Sequence, residues 1–330
     1  MSIYAPREGC APRVQRRKGR GRRRWRERKV RMVAFVDRLL DDFHGRTPIR
    51  AGSLIVTIFG DAVVPRGGSL WLGSLFEIAR AFRISDGLVR TAMSRLVADG
   101  WLERWKIGRN SFYRLTEPGR TTFAAATERI YGAAARRWNG SFDLVLLDNG
   151  GAGSGDERSA LRSGFEAAGY GALAPGLFVS PVPSAAAVDG IGGGTIRLAA
   201  TPADAETARR IAVRAWPIGE IEARYRRFLE SFSPVLSEIE GGAAFGDLDA
   251  LLVRILLIHE YRRIILRDPL LPPELLPVPW AGTEARHVCG VLYRRLVPFA
   301  ERWLDGHATD DRGPLPPPDR SFAGRFNDLR

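Results

Sequence analysis

Apolar positions recur at helical spacing over three stretches near the start of the chain, and each stretch ends at a polar turn. SLIVTIFGDAVV (53–64) reads as a mostly apolar helix with Ser53 as its N-cap, stopped by Pro65, Gly67 and Gly68. WLGSLFEIARAF (71–82) sets Leu72, Leu75, Phe76 and Ala79 on one side of a second helix. After a short turn, Ser85 caps DGLVRTAMSRLVADG (86–100). There Leu88, Ala92 and Leu96, with Val89 and Met93, are expected to pack inward, leaving Arg90, Thr91, Ser94 and Arg95 outside.

The period then drops to two. WLERWKIGRNSFYRLTEPG (101–119) divides into strands Trp101–Lys106 and Ser111–Leu115 around the turn IGRN, where Gly108 and Asn110 supply the turn chemistry. Lys106, Arg109 and Arg114 decorate this hairpin, and Gly100 suits the end of the helix before it. Two short helices, a tight turn and a trailing hairpin predict a winged helix-turn-helix. Arg90, Thr91, Ser94 and Arg95 would meet base edges in the major groove, and Lys106, Arg109 and Arg114 the backbone. The same pattern also serves as a protein-interaction or dimerisation module.

Farther on, FDLVLLD (142–148), GLFVS (176–180) and TIRLAA (195–200) read as strands, with glycine-rich loops at 149–155 and 190–194. Residues 217–305 read as helices, and the proline-rich polar end as disordered. The expected organisation is α+β and multidomain. It comprises a basic disordered arm and linker (1–47), the winged helix-turn-helix (48–130), a middle block (131–216), a helical C-terminal block (217–307) and a disordered tail (308–330).

Charge changes this picture only at one end. The 330 residues carry a formal net charge of +13, but residues 1–31 hold 13 of the 50 basic groups and two of the 37 acidic ones. The body is therefore nearly neutral. Residues 1–31 read either as an arm lying along DNA phosphates or as a non-native extension before a true start at Met32. Only Lys18, Lys29 and Lys106 are lysines, a bias suggesting a GC-rich coding sequence. Two cysteines, Cys10 and Cys289, exclude a disulfide scaffold. No apolar run spans a membrane and no secretory signal is present, so a cytoplasmic location is expected.

LIVTIFGD (54–61), WLGSL (71–75), LVRTAMSRL (88–96), GWL (100–102), GRNSFYRLT (108–116) and YG (131–132) resemble the N-terminal domain of the PaaX-type transcriptional repressors of phenylacetic acid degradation. LLVRILLIHEYRRIILRDPLLPPELLPVPWAGTEAR (251–286) resembles the same family's C-terminal domain. The resemblance covers roughly residues 50–305. It implies a homodimer on a palindromic double-stranded operator and a ferredoxin-like α/β middle domain that helps dimerise. It further implies a helical C-terminal domain sensing an aryl-CoA thioester such as phenylacetyl-CoA, whose binding releases the DNA.

A CoA thioester needs cations for its phosphates and an apolar slot for its acyl group. His259, Tyr261, Arg262, Arg263 and Arg267 on one helix, with Trp280 downstream, are the candidate effector residues; the ordinary reading is a Glu260–Arg263 or Glu260–Arg267 surface pair and a core tryptophan. Catalytic patterns are poor. HEYRR (259–263) lacks the second histidine of a zinc-protease helix, and no nucleophile elbow or cofactor motif occurs. No cofactor, metal or catalytic residue is expected. The alternative is a metal-dependent nuclease built on the middle ferredoxin-like domain, around Asp148 at the end of FDLVLLD.

Overall fold

A computed structural model describes residues 33–45, 51–132, 137–147, 155–182, 195–243 and 245–329. The basic arm, Cys10, Asp148 and the glycine-rich stretches 149–154 and 190–194 lie outside the described residues.

Helix α1 (33–44) leads into α2 (Ala51–Ile58), β1 (Ser69–Trp71), α3 (Leu72–Ala81), α4 (Asp86–Ala98), the hairpin β2 (Leu102–Ile107) and β3 (Asn110–Leu115), and α5 (Glu117–Tyr131). β1 pairs with β3, so the first sheet is antiparallel in the order β1-β3-β2. The turn between α3 and α4 passes through Arg83 at φ 57°, a left-handed conformation costly for a residue with a Cβ. Its guanidinium reaches Asp37 and Asp41 of α1 at 2.6 and 2.7 Å. Gly108, at φ 58°, allows the two-residue hairpin turn.

Helix α2 differs from its expected form. It begins at Ala51, so Ser53 lies inside the first turn rather than capping it. The Ser53 hydroxyl is instead taken by Arg262, at 2.8 Å. The helix gives way at Ile58 to a π turn, Phe59–Val63, and a 3-10 turn, Val64–Arg66. A π turn adds a residue to the helical repeat and re-aims the side chains within it. Here it carries Asp61, buried with 1% exposure.

The middle region comprises β4 (Phe142–Leu147), α6 (Gly155–Ala167), β5 (Gly171–Ala174), β6 (Leu177–Ser180), β7 (Thr195–Ala200) and α7 (Ala205–Ala215). Its sheet runs β5-β6-β4-β7, and every neighbouring pair is antiparallel. One face packs Phe142 and Val179 on Ala208 and Ala212 of α7; the other packs Val145 and Phe178 on Phe165 and Tyr170.

Three long helices follow: α8 (Ile218–Glu240), α9 (Asp247–Ile265) and α10 (Ala281–His307). α9 is buried on all sides from Ala250 to His259, which explains an apolar sequence interrupted there only by Arg254 and His259. One continuous core joins α1–α5 to α8, α9 and α10. The N-terminal and C-terminal blocks, separate by composition, thus share an interior.

Residues 308–329 correct the expectation of a disordered tail. They form the small hairpin β8 (Thr309–Asp310) and β9 (Gly313–Pro314) and two 3-10 turns, Phe322–Gly324 and Asn327–Leu329. Composition argued for disorder because the segment is short of apolar residues. The few it has are used: Leu315 and Phe326 are buried in the shared core, and Arg325 is 7% exposed.

Candidate nucleic-acid interface

Helix α4 is built to present one face. The Ser85 side chain accepts from the Leu88 N–H, and Asp86 in the first turn pairs with Arg80 of α3 at 2.6 Å. Val89, Ala92, Met93 and Leu96 are buried at i, i+3, i+4 and i+7. Arg90, Thr91, Ser94 and Arg95 are all exposed. The Arg90 guanidinium lies 4.7 Å from the centroid of Phe76, which holds its stem against α3. The Thr91 hydroxyl donates to the Gly87 carbonyl at 3.0 Å, leaving its lone pairs and methyl outward.

Leu88 does not pack inward as expected. It is 37% exposed, because Val89 takes the core position and the preceding residue falls a hundred degrees away. Leu88, Thr91 and Arg95 therefore form one outward row (i, i+3, i+7).

The hairpin divides its charges between its two faces. Alternation along β2 puts Leu102, Arg104 and Lys106 on one side, opposite Leu115, Tyr113 and Ser111 of β3. Arg104 donates to Ser111 Oγ at 2.9 Å and remains exposed. Arg114 lies on the opposite side, paired with Glu103 at 2.6 Å and 5.3 Å from the Trp105 ring. Lys106 and Arg109 are exposed. Arg104, passed over in the sequence, shares the Lys106 face. Strand alternation from Lys106 is the signal that would have found it.

The six candidate effector residues fall in three places. His259 and Arg262 join α9 to α2: His259 Nδ1 is 2.9 Å from Thr57 Oγ1, and Arg262 donates to the Ser53 carbonyl at 2.7 Å. Burial pushes the Arg262 guanidinium down to about 10. Arg263 and Arg267 are exposed along a groove shared with Arg224 and Arg227 of α8. Tyr261 and Trp280 line a cavity of about 910 Å³ between α8, the 268–280 loop and the start of α10. They do not form one site, because successive turns at the end of α9 meet α2, α8 and the 268–280 loop in turn.

Asp61 anchors the attachment of the N-terminal unit. Arg254 Nε lies 2.8 Å from Asp61 Oδ2, and Arg325 Nη1 3.0 Å from Oδ1. The hydroxyls of Tyr131 and Tyr293 donate to Oδ1 at 2.7 and 2.9 Å. Arg254 also pairs with Glu301, which in turn accepts from Arg66. Burial and the neighbouring carboxylate raise the Tyr131 hydroxyl well above its usual range. None of these partners was paired by sequence reasoning, since they lie 70 to 264 residues from Asp61.

In the middle region the buried Asp143 is bonded to Arg197 at 2.8 Å and to the Tyr170 hydroxyl. Among the described residues no helix is long and apolar enough to cross a membrane, and no group of three or more His, Cys, Asp or Glu is placed to hold a metal ion.

Residues 50–119 match the family model described as PaaX-like protein, and residues 216–306 match that of the PaaX-like protein C-terminal domain. The chain is 34% identical over 310 residues to the transcriptional repressor PaaX of Escherichia coli (strain K12), covering 90% of this chain and 96% of that protein. A solved structure, the uncharacterized protein Rv0674 from Mycobacterium tuberculosis, aligns with a TM-score of 0.48 at 22% identity, over 70% of this chain and 89% of the other. With a characterised relative matched at that identity over nearly its whole length, and both family models matched on the shared core, the chain belongs to the PaaX-like protein family.

Proposed function

We propose that this protein is a ligand-responsive transcriptional repressor, a regulator rather than an enzyme. On this reading it binds operator DNA as a homodimer and is released by an aryl-CoA thioester such as phenylacetyl-CoA. The observation that carries the DNA-binding part is the exposed α4 row beside a hairpin whose one face carries Arg104 and Lys106. The order helix, strand, helix, helix, hairpin is that of a winged helix, with α4 as the helix that enters the major groove. Arg90 and Arg95 suit guanine edges, Thr91 and Ser94 adjacent bases, and Leu88 a thymine methyl. Arg104, Lys106 and Arg109 suit phosphates. Arg114 is a weaker phosphate ligand, because Glu103 already neutralises it.

The repressor reading is supported by the name of the Escherichia coli relative; the aromatic effector class rests only on the resemblance to the PaaX-type repressors. The antiparallel order β5-β6-β4-β7 of the middle sheet supports a ferredoxin-like domain there; its dimerising role rests on the family resemblance. Two reading heads on a palindrome must lie a fixed number of helical turns apart, so a small relative rotation lowers affinity steeply. Switching from 99% bound to 99% free requires about 5.5 kcal/mol of differential effector affinity.

The test is a gel shift on the chain's own upstream promoter DNA, with phenylacetyl-CoA, free CoA and a straight-chain acyl-CoA as additions. The expected result is a specific complex lost only with the aryl thioester. A specific complex indifferent to every CoA ester would retain DNA binding and remove the effector.

A further inference from the structure

Six charged side chains run in one line through the junction of the N-terminal unit with the helical block, alternating in sign. Arg325 of the closing segment meets Asp61 at 3.0 Å, and Asp61 meets Arg254 of α9 at 2.8 Å. Arg254 meets Glu301 of α10. Glu301 accepts from Arg66 Nε at 2.7 Å, and Arg66 Nη1 ends the line on Asp305 at 2.8 Å. Asp61 and Arg66 belong to the two turns that follow α2; the other four belong to α9, α10 and the closing segment. All links but Arg254–Glu301 therefore cross from one part of the chain to the other. Asp61, Arg66, Arg254 and Arg325 are buried, Glu301 is mostly buried, and Asp305 is exposed. Backbone bonds clip both ends: the Asp319 N–H donates to the Pro65 carbonyl at 2.8 Å, and the Phe326 N–H to the Tyr131 carbonyl at 3.2 Å.

Such a line fixes register better than it adds stability. Removing the charges from water costs about what their attraction returns, so apolar side chains of similar volume are often as stable in their place. The attraction is directional, however. A slide of the N-terminal unit parts several pairs together and leaves their charges buried without partners. Apolar contact is non-directional and tolerates a slide better.

We propose that this line sets the orientation of the N-terminal unit on the helical block, and that Arg66, Glu301 and Arg325 are positioning residues for the spacing of two copies of α4 on DNA. The first half stands on the geometry of the line. The second half rests on the proposed function.

The variant that separates positioning from stability is Arg66→Met with Glu301→Leu in the full chain. It removes one charge of each sign and strands none in the interior, since Arg254 keeps Asp61 and Asp305 faces water. Spin labels at Ala98→Cys on α4 and Arg295→Cys on α10, both exposed positions, report orientation by double electron–electron resonance. Cys10→Ser keeps the label off residue 10, Cys289 is buried, and excess unlabelled chain limits the signal to distances within one chain. The otherwise unaltered chain should give one narrow distance distribution. The double variant should give one about twofold broader or more, with a urea midpoint no lower. In DNA titrations without labels, the parent should prefer its promoter duplex to one lengthened between the half-sites by half a turn, about five base pairs. The double variant should lose about tenfold or more of that preference while binding a single half-site as tightly as the parent does. A narrow distribution kept in the double variant, or a broad one without it, overturns the proposal whichever way the midpoint moves. Broadening with an undiminished spacing preference overturns the second half alone. A parent indifferent to spacing refutes the operator reading and the second half with it, and the distances still judge the first.

Discussion

Replacing Asp61 tests whether the N-terminal unit is held to the helical block by buried charge. Asp61 is fully enclosed, with Arg254 and Arg325 at 2.8 and 3.0 Å. At an effective dielectric constant of 20, two unit charges at that separation attract by about 6 kcal/mol, most of which repays their removal from water. Deleting one partner removes the repayment and leaves the cost. Asp61→Ala would strand Arg325 without its carboxylate, leave Arg254 the Glu301 carboxylate and the backbone carbonyl of residue 61, and deprive two tyrosine hydroxyls of their acceptor. The expected loss is about 3–5 kcal/mol, a large part of the roughly 5–15 kcal/mol that holds a domain folded. Asp61→Asn keeps an acceptor for the tyrosines and should lose less, about 1.5–3 kcal/mol, the value of a hydrogen bond to a charged group. Urea unfolding followed by circular dichroism reads both, as a midpoint shift at unchanged slope. A midpoint for Asp61→Ala within 0.5 kcal/mol of the parent, an order-of-magnitude threshold for a surface change, would refute the reasoning.

The remaining predictions concern DNA, the C-terminal segment and pH. Arg90→Ala or Arg95→Ala should cost about 1–3 kcal/mol of specific binding and relax preference at one base pair; unchanged preference removes that residue from the interface. Arg104→Ala should lower the salt slope of DNA binding by about one, and Arg114→Ala by less because Glu103 pairs with it; equal slopes would contradict the division of the hairpin faces. Phe326→Ala should cost about 3–5 kcal/mol, since the ring is fully buried; a loss under 1 kcal/mol would mean that the segment does not hold to the core. Burial pushes the Asp268 carboxyl above its usual range, so the folded state binds that proton more tightly than the unfolded state. Its contribution is then greatest below the unfolded value near 4 and is lost as pH rises through the folded value. Asp268→Asn should therefore gain stability relative to the parent as pH rises, read from urea midpoints across the range; a flat difference would refute this.

Helix α4 was legible because local rules decide it. Ser85 caps it, four apolar residues at helical spacing bury one side, and Gly100, at φ 74°, ends it. The hairpin was legible from Gly108 and from alternation. Leu88 was misplaced because apolar residues at adjacent positions leave the phase of the stripe ambiguous, and packing chose Val89. The pairing of Arg254 with Asp61 was not legible, since nothing local indicates that a charge will be buried against another 193 residues away. The 308–329 segment was misread for the same reason: its few anchors, Arg325 and Phe326, fit receptors made by distant helices. His259, Arg262, Arg263 and Arg267 share helical spacing, but His259 and Arg262 are taken up by α2 while Arg263 and Arg267 stay exposed beside α8, a division that depends on the neighbouring helices and not on the spacing.

The central claim is sequence-specific DNA binding through α4, and fluorescence anisotropy at 150 mM salt, a roughly physiological ionic strength, measures it directly. The parent chain and Arg95→Ala would each be titrated onto the upstream promoter duplex and onto a scrambled duplex of equal composition. The account predicts at least about a thousandfold preference for the promoter by the parent, reduced about five- to 150-fold in Arg95→Ala with scrambled-duplex affinity nearly unchanged. Equal affinity of the parent for both duplexes would contradict it.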